Sequence, residues 1–191
     1  MHHNDMVQAR LMGAVSAIES LREQTDAIGS ACRFIVERLG AGACIYTAGN
    51  GGSAAEAMHL SEELIGRYRS SRAPLPAVCL NADPTALTCI ANDFGFEQVF
   101  ARQLRALAKS GDVLIVFSTS GKSANLVEVI KTARECGVHT FALLGRDGGT
   151  CAELADRAVI VPRDDSGHIQ EAHQVLLHIL CEAVEAAFAA S

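Results

Sequence analysis

The sequence predicts an α/β fold, a single domain built on a parallel β-sheet with helices packed on both faces. Three observations carry this reading. Five short runs, "CIYTAG" (44–49), "LPAVCL" (75–80), "DVLIVFST" (112–119), "HTFALLG" (139–145) and "RAVIVP" (157–162), are almost continuously apolar, as strands buried on both sides are. Stretches with helical spacing of apolar residues separate them, the alternation that builds βαβ units. The first and third runs end in glycine-serine loops, "GNGGSA" and "STSGKS", at the edge where such sheets gather their ligand-binding loops.

Taken in order, Val7, Leu11, Val15, Ile18 and Leu21 recur at helical intervals, so residues 7 to about 39 read as one long or broken amphipathic helix. Its early turns need something to pack against. After each strand the pattern predicts helices over 53–69, 84–90, 96–108, 123–136, 150–154 and 168–189. The loops 49–53, 81–83 and 118–123 then converge at one sheet edge. No linker, repeat or low-complexity segment divides the 191 residues, and one domain of this length buries about 70% of its extended surface.

Composition narrows the function. Hydrophobic residues make up 49% and prolines number four, which argues for a folded chain. No apolar run reaches the roughly 18 residues of a membrane span. The opening "MHHNDMVQAR" is polar and then amphipathic, unlike a signal peptide, and His2 and His3 carry no assignment. Seven scattered cysteines without a C-x-x-C pair, most inside apolar stretches, point to a reduced cytosolic protein with buried thiols. A net charge of -6 with no basic block speaks against a nucleic-acid partner. An anionic small ligand would have to be held locally.

The two loops are suited to that. Small residues let a ligand approach the backbone, and a helix start presents free N–H groups and a partial positive charge. Serine also caps helices, so Ser53 and Ser123 have an ordinary structural reading. Yet "STSGKS" packs three serines, a threonine, a glycine and a lysine into six residues, more polarity than capping needs, and reads as a phosphate cradle. It is not a P-loop, since position 116 is Val where the first glycine belongs. "GNGGSA" fits G-x-G-x-x-A, but the acidic residue about 20 positions on is missing. The nearest, Asp83, stands too far along and precedes Pro84.

The helix after the first loop carries His59 and Glu63, four apart and so on one face. They suit a metal-ligand pair or a base with its partner. A solvated i, i+4 pair is the ordinary alternative, but the position beside the anion loop favours function. Glu62 is expected to face solvent. The last helix carries "HIQEAHQVLLHILC". Glu171 and His178, seven apart, are its best co-facial pair. Gln170 and His178, eight apart, lie about 12 Å apart along the axis and still span to one metal, or come from different subunits. His173 reads as a surface residue or a support, and spacing does not choose among these.

With "AGNGGSAAEAMH", "LTCIANDFGFEQVFARQL", "GDVLIVFSTSGKSANL" and "IQEAHQVLLHILC" in view, the chain resembles the phosphoheptose isomerases (sedoheptulose 7-phosphate isomerases) of the sugar isomerase (SIS) domain superfamily, from about residue 7 to the end. The resemblance implies a three-layer sandwich with a five-stranded parallel, flavodoxin-like sheet. It implies one SIS domain over 1–191, and an N-terminal helical segment (about 6–40) used in oligomerisation. It also implies a cytoplasmic homotetramer with active sites at subunit interfaces, giving the N-terminal helix its partner. The expected activity is ketose–aldose exchange through an enediol, with Glu63 as base and His178 as acid. By position, Asn50, Gly51, Gly52 and Ser53 would line the sugar. Ser118, Thr119, Ser120 and Ser123 would hold the phosphate, and Asn92 and Asp93 would reach the substrate. His59, Glu63, Gln170 and His178 would bind one zinc ion per subunit, so the resemblance prefers Gln170 and keeps Glu171 in reserve.

Two departures stand out. His168 replaces the basic residue common before "IQE", which touches contact with the far end of the substrate. The loop "RDDSG" is variable, and Asp165 takes no catalytic role. The superfamily also holds non-catalytic members that bind sugar phosphates or associate with replication initiators. Close relatives of that kind lack the carboxylate and histidine found here at 63 and 178, so the enzyme is the expected reading.

Overall fold

The computed structural model describes residues 2–189. Its centre is a sheet of five parallel strands: β1 (Ile45–Gly49), β2 (Ala77–Cys79), β3 (Val113–Ser118), β4 (His139–Gly145) and β5 (Arg157–Val161). They run in the spatial order β2-β1-β3-β4-β5, so all five expected strands form. Successive side chains point to opposite faces of a strand, and the core divides accordingly. Ile45, Val113, Ile115, Phe117, Phe141 and Leu143 pack on one face. Tyr46, Ala48, Leu114, Val116, Ala142 and Leu144 pack on the other. Phe117 and Phe100 are among the largest fully buried side chains, and burial of each such group is worth about 1.5–3 kcal/mol.

Helices α2 (Thr25–Gly40), α3 (Gly52–Ile65) and α8 (Ser166–Phe188) cover the first face. Helices α5 (Ala101–Leu107), α6 (Ala124–Glu135) and α7 (Gly149–Leu154) cover the second. The helix α4 (Pro84–Phe94) follows β2. The predicted N-terminal helix is broken: α1 (His3–Glu19) passes through a 3₁₀ turn at Ser20–Gln24 into α2. The Ser20 and Thr25 hydroxyls donate to the carbonyls of Ala17 and Arg22, and such local bonds compete with a continuous helix.

Boundaries moved where side chains cap helix ends. The helix expected to reach 69 stops at Ile65, because the Arg72 guanidinium donates to the carbonyls of Glu63 and Leu64. Asp83 caps α4 through the N–H groups of Thr85 and Ala86 with Pro84 in the first turn, and this helix runs four residues past its expected end. The expected helix over 96–108 splits into a 3₁₀ turn, Phe96–Gln98, and α5. Helix α8 begins two residues early because the Asp165 carboxylate accepts from His168 N–H.

Two features bear on function. The strand order turns back between β1 and β3, and Gly49 pairs in register with Phe117, so the two glycine-serine loops leave the sheet side by side. The apolar face of α1 points away from the fold. Leu11, Met12 and Val15 are 62%, 72% and 56% exposed, while of its residues only Ala17 is buried.

Candidate active site

At the reversal of strand order Asn50, Ser53, Ser118, Thr119, Ser120 and Ser123 line a pocket of about 70 Å³ floored by Phe117 and Leu126. That is room for roughly two waters' share of liquid volume, the scale of an anion head rather than a sugar. The first loop is held firmly. Asn81 accepts from Gly49 N–H and donates to Gly49 carbonyl, at 3.1 and 2.9 Å. Asn50 exchanges two 2.9 Å amide bonds with the buried Asn125 of α6. Gly121 makes the second loop: its φ of 62° suits glycine, and a Cβ there would collide with the Gly148 carbonyl. The Ser118 hydroxyl accepts from Gly121 N–H.

The capping reading of the two serines holds by position for Ser123 alone. Ser53 lies inside α3 behind Gly51, and Ser123 stands at the N-cap of α6 without a side-chain cap bond. The Ser123 hydroxyl therefore lines the pocket without a cap bond, at the start of a helix as an anion site requires. Lys122 turns outward to Asp147 at 3.1 Å. The Ser166 hydroxyl donates to Thr119 Oγ1, tying the start of α8 to this loop.

From the pocket, α3 and α8 run side by side and their facing polar groups form a ladder. The Gln170 amide lies against Gly52, where any Cβ would displace it. One turn on, Glu56 faces His173. Next, the Gln174 carboxamide contacts His59 Nδ1, while His59 Nε2 lies 3.1 Å from Glu63 Oε1. The His178 ring stands edge-on to His59 at 5.5 Å and stacks on Tyr68 at 5.6 Å. At the far end Glu185 accepts from the backbone N–H groups of Arg69 and Ser70. Burial pushes the Cys181 thiol up to about 12, with the negative charge of Glu63 adding to it. That thiol therefore stays protonated.

Within one protomer His59 thus has the Glu63 carboxylate at its Nε2 and the His178 ring beside it, while His178 lies outside the group of ligand atoms that gather around His59. The exposed Glu62 carboxylate also lies within 4.8 Å of the His59 and Glu63 ligand atoms, although its position suggested that it points elsewhere. This nitrogen and oxygen donor set fits a borderline cation such as zinc. Gln170 sits nearer the pocket than this cluster. Glu171 leaves the reckoning: Arg10 of α1 holds it at 2.6 Å and His168 Nδ1 at 3.0 Å. His173 is no surface residue but fully buried. Asn92 and Asp93 are exposed on α4, with the Asn92 amide donating to Asp93, outside the pocket lining of a single protomer. Gln174 and Asn125 drew no assignment from the sequence. The signal for Gln174 was its spacing, four residues from both Gln170 and His178.

Comparison with known proteins places this architecture in a class. The SIS domain family model matches residues 12–145, the span that carries both loops and the His59–Glu63 pair. Phosphoheptose isomerase of Geotalea daltonii is 43% identical over 180 residues, 94% of each chain. That of Helicobacter pylori strain P12 is 43% identical over 187 residues, 97% of each. The structure of phosphoheptose isomerase GmhA from Neisseria gonorrhoeae superposes with a TM-score of 0.91 at 37% identity, covering 97% of this chain and 100% of that one. The chain belongs to the phosphoheptose isomerase family of sugar-phosphate isomerase enzymes.

Proposed function

We propose that the protein interconverts sedoheptulose 7-phosphate and D-glycero-manno-heptose 7-phosphate. The observation that carries this is the His59–Glu63 pair, with the His178 ring 5.5 Å from His59, two to three turns along α3 from a hydroxyl-lined pocket. Ser53 and Glu63 are separated by about 15 Å of helical rise, less the lean of side chains toward the N-terminus. That span suits an extended sugar phosphate with its phosphate in the Ser118–Ser123 loop and its reactive carbons at the ladder.

Glu63 takes a proton from C1 while His178 gives one to the C2 carbonyl oxygen, leaving an enediol. Return of a proton to C2, with loss of the O1 proton to His178, yields the aldose. Each group contributes about 10²–10⁴-fold. His59, Glu63, Gln170 and His178 would hold zinc, which when bound polarises sugar oxygens. Replacing Glu63 with Gln is expected to lower turnover by about 10²–10⁴-fold without unfolding the protein. Near-normal conversion of sedoheptulose 7-phosphate by that variant would overturn the assignment, and elemental analysis of the purified protein tests the metal.

The same reading makes the protein a cytoplasmic homotetramer with sites shared between subunits. The outward apolar face of α1 and the exposed Phe94 and Phe96 supply surface for assembly. Asn92 and Asp93, beside those phenylalanines, would reach a neighbouring subunit's substrate. All seven cysteines are free, in keeping with a reducing compartment.

A further inference from the structure

His59 is gripped at both ring nitrogens, by the Glu63 carboxylate at Nε2 and the Gln174 carboxamide at Nδ1. A carboxylate only accepts, so in the neutral ring the proton sits on Nε2 and Nδ1 is bare. A bare Nδ1 needs a donor, and the Gln174 amide N–H is that donor. Should a cation take Nε2 beside Glu63, the ring proton must lie on Nδ1, which then needs an acceptor. A carboxamide can meet both demands by a half-turn about its last torsion. A carboxylate meets only the second, and an alkyl chain meets neither.

We propose that Gln174 is a positioning residue for His59: its carboxamide holds Nδ1 in either tautomer and so keeps Nε2 directed at Glu63 whether or not a metal is bound. The metal half of this rests on the zinc reading above. The metal-free half stands on the hydrogen bonds alone.

The test has one arm for each half. In ¹⁵N-labelled, metal-free wild-type protein at about pH 8, above the ordinary imidazole range, His59 should show a bare Nδ1 and a scalar coupling from it across the hydrogen bond to Gln174 Nε2. A proton on Nδ1, or no such coupling, overturns the proposal. In competition with a chromophoric chelator, Gln174→Leu should bind zinc about 10–100-fold more weakly. Gln174→Glu, which supplies the acceptor that a metal-bound imidazole needs, should retain wild-type affinity within a few-fold. Wild-type affinity in a folded Leu variant overturns the proposal. If the wild-type protein takes up no zinc, the metal reading falls, and the coupling alone decides the role of Gln174.

Discussion

His173 and Glu56 show how much a single pair can weigh. The His173 ring is wholly enclosed, and its Nε2–H donates to the Leu144 carbonyl at 3.1 Å. Its Nδ1 lies 3.8 Å from Glu56 Oε2, and neither Nδ1 nor the Glu56 oxygens have a hydrogen-bond partner among the described residues. Glu56 and His173 Nδ1 thus form a buried polar pair whose members rely on each other for electrostatic compensation. His173→Leu strands the carboxylate and should cost about 3–5 kcal/mol, whereas the double replacement Glu56→Leu/His173→Leu should recover much of it. Denaturant unfolding of the four proteins decides this, and equal losses in the single and double variants would refute it. Asp165 offers a pH test. The His168 N–H and the Arg10 guanidinium lower its pKa to about 2. A depressed carboxyl stabilises the fold above its unfolded value of about 3.9 and loses that contribution as pH falls toward 2. Melting temperature should therefore fall more steeply between pH 4 and 2 in the wild type than in Asp165→Asn.

At the scale of elements, the Ser118–Ser123 loop and the β4–α7 turn are built against each other. Gly121 needs positive φ, and any side chain there meets the Gly148 carbonyl. Gly121→Ala should cost more than about 2 kcal/mol, joining left-handed strain to a steric clash. It should also weaken phosphate binding, because the backbone shift that relieves the clash moves the residue-121 N–H away from the Ser118 hydroxyl. Thermal melts with and without inorganic phosphate measure both effects. Gly121 was visible in the sequence as part of a polar strand end. The clash was not, because Gly148 lies 27 residues on and only the pairing of β3 with β4 brings it near. The end of α3 was misjudged for a similar reason: the Arg72 side chain that caps it comes from beyond the turn.

For the molecule as a whole, α1 is the element whose energetics make least sense in a lone chain. Leu11, Met12 and Val15 follow helical spacing but face outward, so this part of the apolar stripe finds no partner among the described residues, while Leu21 at its end is buried in the core. Leu11→Glu/Met12→Glu should lower the oligomeric state in sedimentation and reduce turnover with it, if sites are shared. A fully active assembly carrying both substitutions would argue against that arrangement. Ligand binding should stabilise the entire fold. Sugar phosphate at 100 times its Kd adds about 2.7 kcal/mol, and Ser123→Ala should shrink that gain at equal concentration.

Periodicity and punctuation in the sequence determined the five strands, the helices between them, the glycine-serine loops and the His59–Glu63 pair, because each depends on residues within a few positions of one another. Motif resemblance added the family, which the comparisons bear out, and the expectation that Glu63 and His178 act together. Only the tertiary structure decided that Gln174 sits on His59, that Arg10 claims Glu171, and that His173 is buried against Glu56. Those choices join residues more than a hundred positions apart. Helical spacing says which residues share a face, but which face meets which neighbour is settled only when α3 and α8 pack together on the sheet.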